Sequence, residues 1–213
     1  MLIQIKRRNV AQLFDCYLKT QVPLLVNEFI TNRTLYDHIH DKGLSSLLSW
    51  EKSLKIATET ARTFAYLHFA ISVPIIHRYV KTTKILLDDN YTRKMSNFGA
   101  SRLFHVDQTQ LNTLVQGTLG YLDPKYMQTS QLTKLSDVNS FGVVMAELLI
   151  GKKALSFDRL EIDRNLAIYF VTTITEDRLL QILENHIVNE GNIEQLKEAA
   201  NLAKKVHNVK RGG

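Results

Sequence analysis

A chain of 213 residues, 45% hydrophobic and 23% charged, has the make-up of a water-soluble globular protein with enough length to bury a substantial core. Its one cysteine, Cys16, excludes an internal disulfide and suits a reducing compartment. The net charge of +6 gathers most densely at Lys6-Arg7-Arg8 and at Lys204-Lys205 with Lys210-Arg211, without the interleaved aromatics that stack bases, so nucleic acid is not an expected partner.

In chain order, Val10 to Leu18 and Val22 to Phe29 read as two strands joined by Lys19-Thr20-Gln21. The unbroken Leu24-Leu25-Val26 predicts that the second strand is buried. Thr34 to His40 reads as a short helix and Gly43 to Ser49 as a loop. Ser49 is the predicted N-cap of a helix from Trp50 to about Ala70, with an apolar stripe of Leu54, Ala57, Ala61, Phe64, Ala65 and Leu67; Pro74 stops it. Ile85 to Leu87 and Tyr91 to Met95 read as strands around an Asp88-Asp89-Asn90 turn. Gly99 to Tyr126 shows no sustained period, which predicts a long and therefore functional loop. Thr133 opens an apolar helix that Gly151 closes. Its longest apolar run, Phe141 to Ile150, contains Glu147 and is far below the ~20 residues of a membrane span. The first residues lack the order of a signal peptide. Asn165 to Ile174, Asp177 to Leu183 and Ile193 to Val206 read as further helices.

Three motifs in order carry a resemblance. His77-Arg78-Tyr79-Val80-Lys81-Thr82-Thr83-Lys84 resembles the catalytic loop of a protein kinase, His-Arg-Asp-x-Lys-x-x-Asn. Ser96-Asn97-Phe98-Gly99 stands where that family has Asp-Phe-Gly, and Asp137 in Ser136-Asp-Val-Asn-Ser-Phe-Gly142 matches its buried helix-start Asp. Gly117-Thr-Leu-Gly-Tyr-Leu-Asp-Pro124, Ala100-Ser-Arg-Leu103 and Gly151-Lys-Lys-Ala-Leu-Ser-Phe157 look most like the wall-associated branch of the plant receptor-like kinases. The likeness runs from about Ile5 to about Val206.

The resemblance implies an α+β, protein-kinase-like fold, mainly the helical C-terminal lobe with a remnant of the N-terminal-lobe sheet. Residues 1–31 would be that remnant and the hinge. Residues 32–213 would be the C-terminal lobe without its last helix. By the same likeness Asn27 is the gatekeeper, and the backbone of Glu28 and Ile30 faces an adenine. His77 and Phe98 belong to a packed spine beside Gly99. Lys81 touches the transferred phosphate. Arg78 pairs with a phosphorylated loop, for which Thr109, Thr113 and Thr118 are candidate acceptors. Asp137 holds the catalytic-loop backbone.

The chemistry of the family is missing at the positions that perform it. Tyr79 replaces the catalytic base, and a phenol keeps its proton at neutral pH. A positioned base contributes about 10²–10⁴-fold. Asn97 keeps the shape of the metal-binding Asp without its charge, whereas magnesium calls for carboxylate oxygens. Lys84 replaces the second metal ligand with a cation; two unit charges at ~4 Å and an effective dielectric of ~20 interact by about 4 kcal/mol, doubled for a divalent ion and here repulsive. The chain contains no Gly-x-Gly-x-x-Gly, and the strand bearing the family's phosphate-binding Lys is expected before residue 1. Lys125 stands where the family has the Glu of Ala-Pro-Glu, and the Arg that pairs with that Glu is expected beyond the last residue.

The expected protein is catalytically inactive, a pseudokinase binding module in receptor-like kinase signalling. Its expected partner is an intact related kinase or another signalling protein. Its place is the cytoplasm or the cytoplasmic face of the plasma membrane, with no membrane span of its own. Magnesium and other cofactors are not expected. ATP stays open: either Lys84 marks a decayed site, or Lys84 and Lys81 stand in for metal charge and hold a nucleotide. Two rivals remain, an active Ser/Thr kinase using ATP with its missing parts upstream and a non-functional truncated gene product.

Overall fold

The structure, a computed structural model, describes residues 8–17, 24–104, 109–190 and 192–207. The expected Lys19-Thr20-Gln21 connection, Lys6-Arg7, Lys210-Arg211 and residues 105–108 of the long loop lie outside the described residues. The fold is α+β: about half helix, with small antiparallel sheets beside it.

β1 (Leu13–Tyr17) and β2 (Leu24–Asn27) form an antiparallel hairpin with an irregularity between Leu13 and Asp15. The predicted burial of β2 does not occur: Leu24, Leu25 and Val26 are 56%, 42% and 43% exposed. An apolar run is buried only where something packs on it, and among the described residues neither a third strand nor a helix covers this hairpin.

Helix α1 (Leu35–His40) begins at Thr34. The Asp37 N–H donates to the Thr34 hydroxyl at 3.2 Å, and the Thr34 N–H donates back to the Asp37 carboxylate at 3.0 Å. Where the sequence predicts a loop from Gly43, a single turn forms instead. This is α2 (Lys42–Ser45), nucleated by Asp41, whose carboxylate caps the Gly43 N–H at 2.8 Å. Helix α3 (Trp50–Ala65) is capped by Ser49 and widens into a π-turn over Tyr66–Ala70.

The buried face of α3 differs from the predicted stripe. Trp50, Ile56, Thr60, Thr63 and Phe64 point inward with Leu67 of the π-turn, while Leu54, Ala61 and Ala65 are exposed. Both stripes have helical spacing. The inner one is burial-compatible because its threonines satisfy themselves: Thr60 donates to the Ile56 carbonyl at 2.7 Å and Thr63 to the Glu59 carbonyl at 3.3 Å.

Short strands then frame the site. β3 (Ile75–Ile76) pairs with β6 (Arg102–Leu103), and β4 (Ile85–Leu87) with β5 (Arg93–Met95). The Asp88 carboxylate closes the β4–β5 turn on the N–H groups of Asn90 and Thr92. β7 (Leu111–Asn112) pairs with β8 (Gln131–Leu132), on either side of α4 (Pro124–Thr129).

Helix α5 (Lys134–Ile150) is buried almost from end to end and forms the axis of the core; Gly151 stops it in the left-handed region at φ 69°. α6 (Leu166–Thr175), α7 (Asn185–Glu190) and α8 (Ile193–His207) follow, and α8 packs along α5. The predicted helix at Asp177 to Leu183 is one 3₁₀ turn, Leu179–Gln181. Asp177 sits at φ 54°, which ends α6 and breaks helical continuity. The main core gathers Leu35, Ile56, Phe64, Ile85, Val144 and Leu196, with a second cluster of Ile76, Phe104, Tyr126 and Leu132 under the long loop.

Candidate functional site

The turn after β3 is built around a buried carboxylate. Asp137, 1% exposed at the start of α5, accepts the His77 N–H and the Arg78 N–H at 2.7 Å each and His68 Nε2 at 2.9 Å. Arg78 is held at φ 73°, a region bulky residues avoid. The His77 ring stands edge-to-face on Phe98, centroids 4.9 Å apart.

His77 Nε2 faces the Ser96 carbonyl at 2.9 Å and so carries the proton, while Nδ1 accepts the Tyr79 N–H at 3.3 Å. Burial pulls this imidazole below its ordinary range, against the opposing pull of the Asp137 charge and the Ser96 carbonyl. The unfolded chain therefore takes up the proton first, so this contribution to stability is lost as pH falls below about 6.5. Denaturant unfolding at pH 7.5 and 5.5 is expected to show a stability loss on acidification that is smaller in His77→Phe.

Between the hairpin and β4–β5 lies a cleft of about 370 Å³. Val10, Leu13, Leu25 and Leu86 give it apolar walls, and Asn27, Glu28, Lys84, Ser96, Asn97, Phe98 and Gly99 complete its lining. Sequence-distant hinge, loop and Ser-Asn-Phe-Gly positions thus meet in one cavity. Ile30, Tyr79 and Lys81 do not line it. Tyr79 is half-buried, and Lys81 is the extended residue before a 3₁₀ turn, Thr82–Lys84, closed by the Lys84 N–H on the Lys81 carbonyl at 2.9 Å.

The donor set at this cleft does not fit magnesium. Asn97 is exposed and left-handed (φ 66°), a conformation that asparagine tolerates well, but it offers a neutral amide. Lys84 brings an ammonium. The single lining carboxylate, Glu28, is ion-paired with Lys94 and accepts the Gln12 N–H at 3.2 Å. Among the described residues no cluster of three or more His, Cys, Asp or Glu side chains is placed to hold a metal.

The long loop docks through Arg78. Its guanidinium is buried and donates to the Tyr126 hydroxyl at 2.8 Å, to the Thr113 hydroxyl at 3.0 Å and to the Leu114 carbonyl. Of the three candidate acceptors, Thr113 touches Arg78. Thr109 is exposed, and the Thr118 carbonyl caps the N–H groups of Tyr121 and Leu122.

One buried group bears on this site without entering the motif reading. Glu147, fully buried in α5, receives a hydrogen bond from the Tyr121 hydroxyl at 2.5 Å and from the Ala154 N–H at 3.2 Å, and lies 3.2 Å from His40 Nε2. The Tyr121 hydroxyl in turn lies 2.9 Å from that of Thr82, so α5 is tied to the Lys81–Lys84 turn. A lone Glu in a ten-residue apolar run was its sequence signal, since a buried carboxylate needs partners.

The comparisons with known proteins agree with this architecture. The family model for the protein kinase domain matches residues 1–210. Wall-associated receptor kinase 1 of Arabidopsis thaliana is 54% identical over 203 residues, 95% of this chain and 28% of the relative. Wall-associated receptor kinase 3 of the same plant is 53% identical over 95% of this chain and 27% of the relative. Wall-associated receptor kinase-like 1 is 47% identical over 99% of this chain and 29% of the relative. The chain thus spans less than a third of the length of these curated relatives. Among the described residues no helix is long and apolar enough to cross a membrane. With a kinase-type turn on Asp137, a hinge-side cleft and these matches, the chain belongs to the protein kinase family, and its kinase domain is related to the plant wall-associated receptor kinases.

Proposed function

We propose that this kinase domain transfers no phosphate and serves as a binding module for another protein kinase or signalling protein. The observation that carries the reading is the meeting of Lys84 and Asn97 in one cleft whose single carboxylate is already paired to Lys94. Phosphoryl transfer depends on positioning and on metal to neutralise charge. Here an ammonium and a neutral amide stand at the metal positions, and a phenol at that of the base.

The binding side of the proposal is supported by the long loop. Arg78 anchors it, yet it presents Leu114 at 83% exposure and Leu119 at 64%. Exposed apolar side chains on an anchored loop suit a protein partner. The relatives are named receptor kinases, and a place at the cytoplasmic face of the plasma membrane belongs to the same proposal.

The test is phosphate transfer from labelled ATP to a generic peptide substrate and to the chain itself, in magnesium and in manganese. Signal at the no-enzyme background is expected. Transfer that scales with purified protein overturns the reading. A pull-down of a wall-associated receptor kinase domain, weakened by Leu114→Glu with Leu119→Glu, tests the partner.

A further inference from the structure

We infer that a second cavity, walled by α1, α2, the end of α5 and the start of α7, takes a small phosphorylated polyol, its phosphate held by Lys42 and Lys153 and its hydroxyl groups received by His38 and Glu184. The inference is independent of the inactive reading, because this cavity shares no lining residue with the kinase cleft.

The cavity has a volume of about 360 Å³, within the range of small-ligand pockets. Leu48, Leu148 and Ile187 line it and are buried, which supplies apolar surface for a carbon skeleton. Its polar groups are of two kinds.

The first kind attracts an anion. Lys42 comes from the α2 turn and Lys153 from the segment after α5, and both side chains belong to exposed residues. Among the described residues neither ammonium has an ion-pair partner. The lining thus carries two ammonium groups against one carboxylate, and that carboxylate, Glu184, lies 4.0 Å from His186 Nδ1 rather than on either lysine. An anion relieves such an excess of positive charge, and lysine binds phosphate as a point charge.

The second kind accepts hydrogen bonds. His38 is 1% exposed, and its Nε2 faces the Asn32 carbonyl at 3.0 Å and so carries the proton. Nδ1 is left as an acceptor, buried and without a partner among the described residues. A buried polar atom of this sort is costly unless a donor reaches it. Glu184 is held in place by its own backbone: its N–H donates to the Leu149 carbonyl at 3.1 Å. Its side chain lies across Gly151, where any Cβ would strike the carboxylate. At 4.0 Å from His186 the Glu184 carboxylate is beyond hydrogen-bond reach of that ring. A phosphate ion is mainly an acceptor at neutral pH and cannot satisfy both of these groups. Hydroxyl groups on the same ligand can.

Calorimetric titration of the full chain with glucose 6-phosphate and glycerol 3-phosphate tests this, beside glucose, inorganic phosphate and ethyl phosphate. At least one of the two polyol phosphates is expected to bind about tenfold tighter than each of the three controls. Lys42→Ala and Lys153→Ala are each expected to weaken that binding about tenfold, while Lys197→Ala, an exposed lysine of α8 outside the cavity, leaves it unchanged. Both cavity lysines are exposed, so ligand-free melting temperatures of the variants should match the wild type and show that they fold. Ethyl phosphate carries the charge without the hydroxyl groups, and affinity equal to that of the polyol phosphates would remove the role of His38 and Glu184. That result, no binding of either polyol phosphate, indifference to both cavity variants, or an equal loss in Lys197→Ala each overturn the inference.

Discussion

Asp137→Ala is expected to lower the unfolding free energy by about 3–5 kcal/mol, the range seen when one partner of a buried charged network is removed. The Asp137 side chain is the acceptor for three buried donors: the His77 and Arg78 backbone N–H groups and His68 Nε2. Each buried donor left without a partner costs about 1–3 kcal/mol. The same carboxylate keeps Arg78 at φ 73°, a conformation that costs about 1–3 kcal/mol and persists only where its surroundings enforce it. Its loss therefore frees the turn that places Arg78 against Thr113, Leu114 and Tyr126, and the long loop should loosen along with it. Asp137→Asn retains one acceptor oxygen and should lose less. Urea unfolding followed by circular dichroism gives the stability, and limited proteolysis between Gly99 and Tyr126 gives the loop. An Asp137→Ala chain as stable as the parent would show that the turn is held by something else.

The second large effect is a gained response to magnesium. In the combined variant Tyr79→Asp, Lys84→Asn and Asn97→Asp, magnesium is expected to raise ATP affinity at least tenfold, a response that Lys84 and the neutral Asn97 amide oppose in the parent. Each change adds one unit of negative charge, three in all. At an effective dielectric of ~20, a divalent ion at ~4 Å gains about 8 kcal/mol of Coulomb attraction from a carboxylate before desolvation, and loses as much beside an ammonium. The backbone is ready for the change, since Asn97 already occupies the left-handed conformation between Ser96 and Phe98. Asn97→Asp alone should fall short, because Lys84 still faces the cleft. Thermal shift with ATP, with and without magnesium, reads the outcome. An unchanged magnesium response in the triple variant would mean that charge at these positions does not govern the cleft.

Much of this was legible in the chain. Capped helices read well in their extent: Thr34 before α1, Ser49 before α3, and Thr133 to Gly151 around α5. The spaced motifs at His77, Asn97 and Asp137 pointed to the kinase family, which the family model and relatives show. Short elements read poorly. The α2 turn rests on one Asp41 cap, and Asp177 ended α6 by adopting a positive φ that no neighbouring residue type announces.

Covalent order by itself determined which side chains stand in the kinase-like motifs, Tyr79, Lys84 and Asn97 among them, and with them the charge they carry: that is a property of residue identity and survives any rearrangement. Tertiary packing alone decided what each side chain meets. It chose the threonine stripe of α3 over the alanine one, because hydroxyls bonded to their own helix can be buried. It left the apolar β2 in water, because burial requires a second surface. It buried Glu147 against Tyr121, and it brought Glu28 to Lys94, removing the cleft's carboxylate from use. Pairings between residues tens of positions apart depend on where the chain returns, which local spacing does not encode.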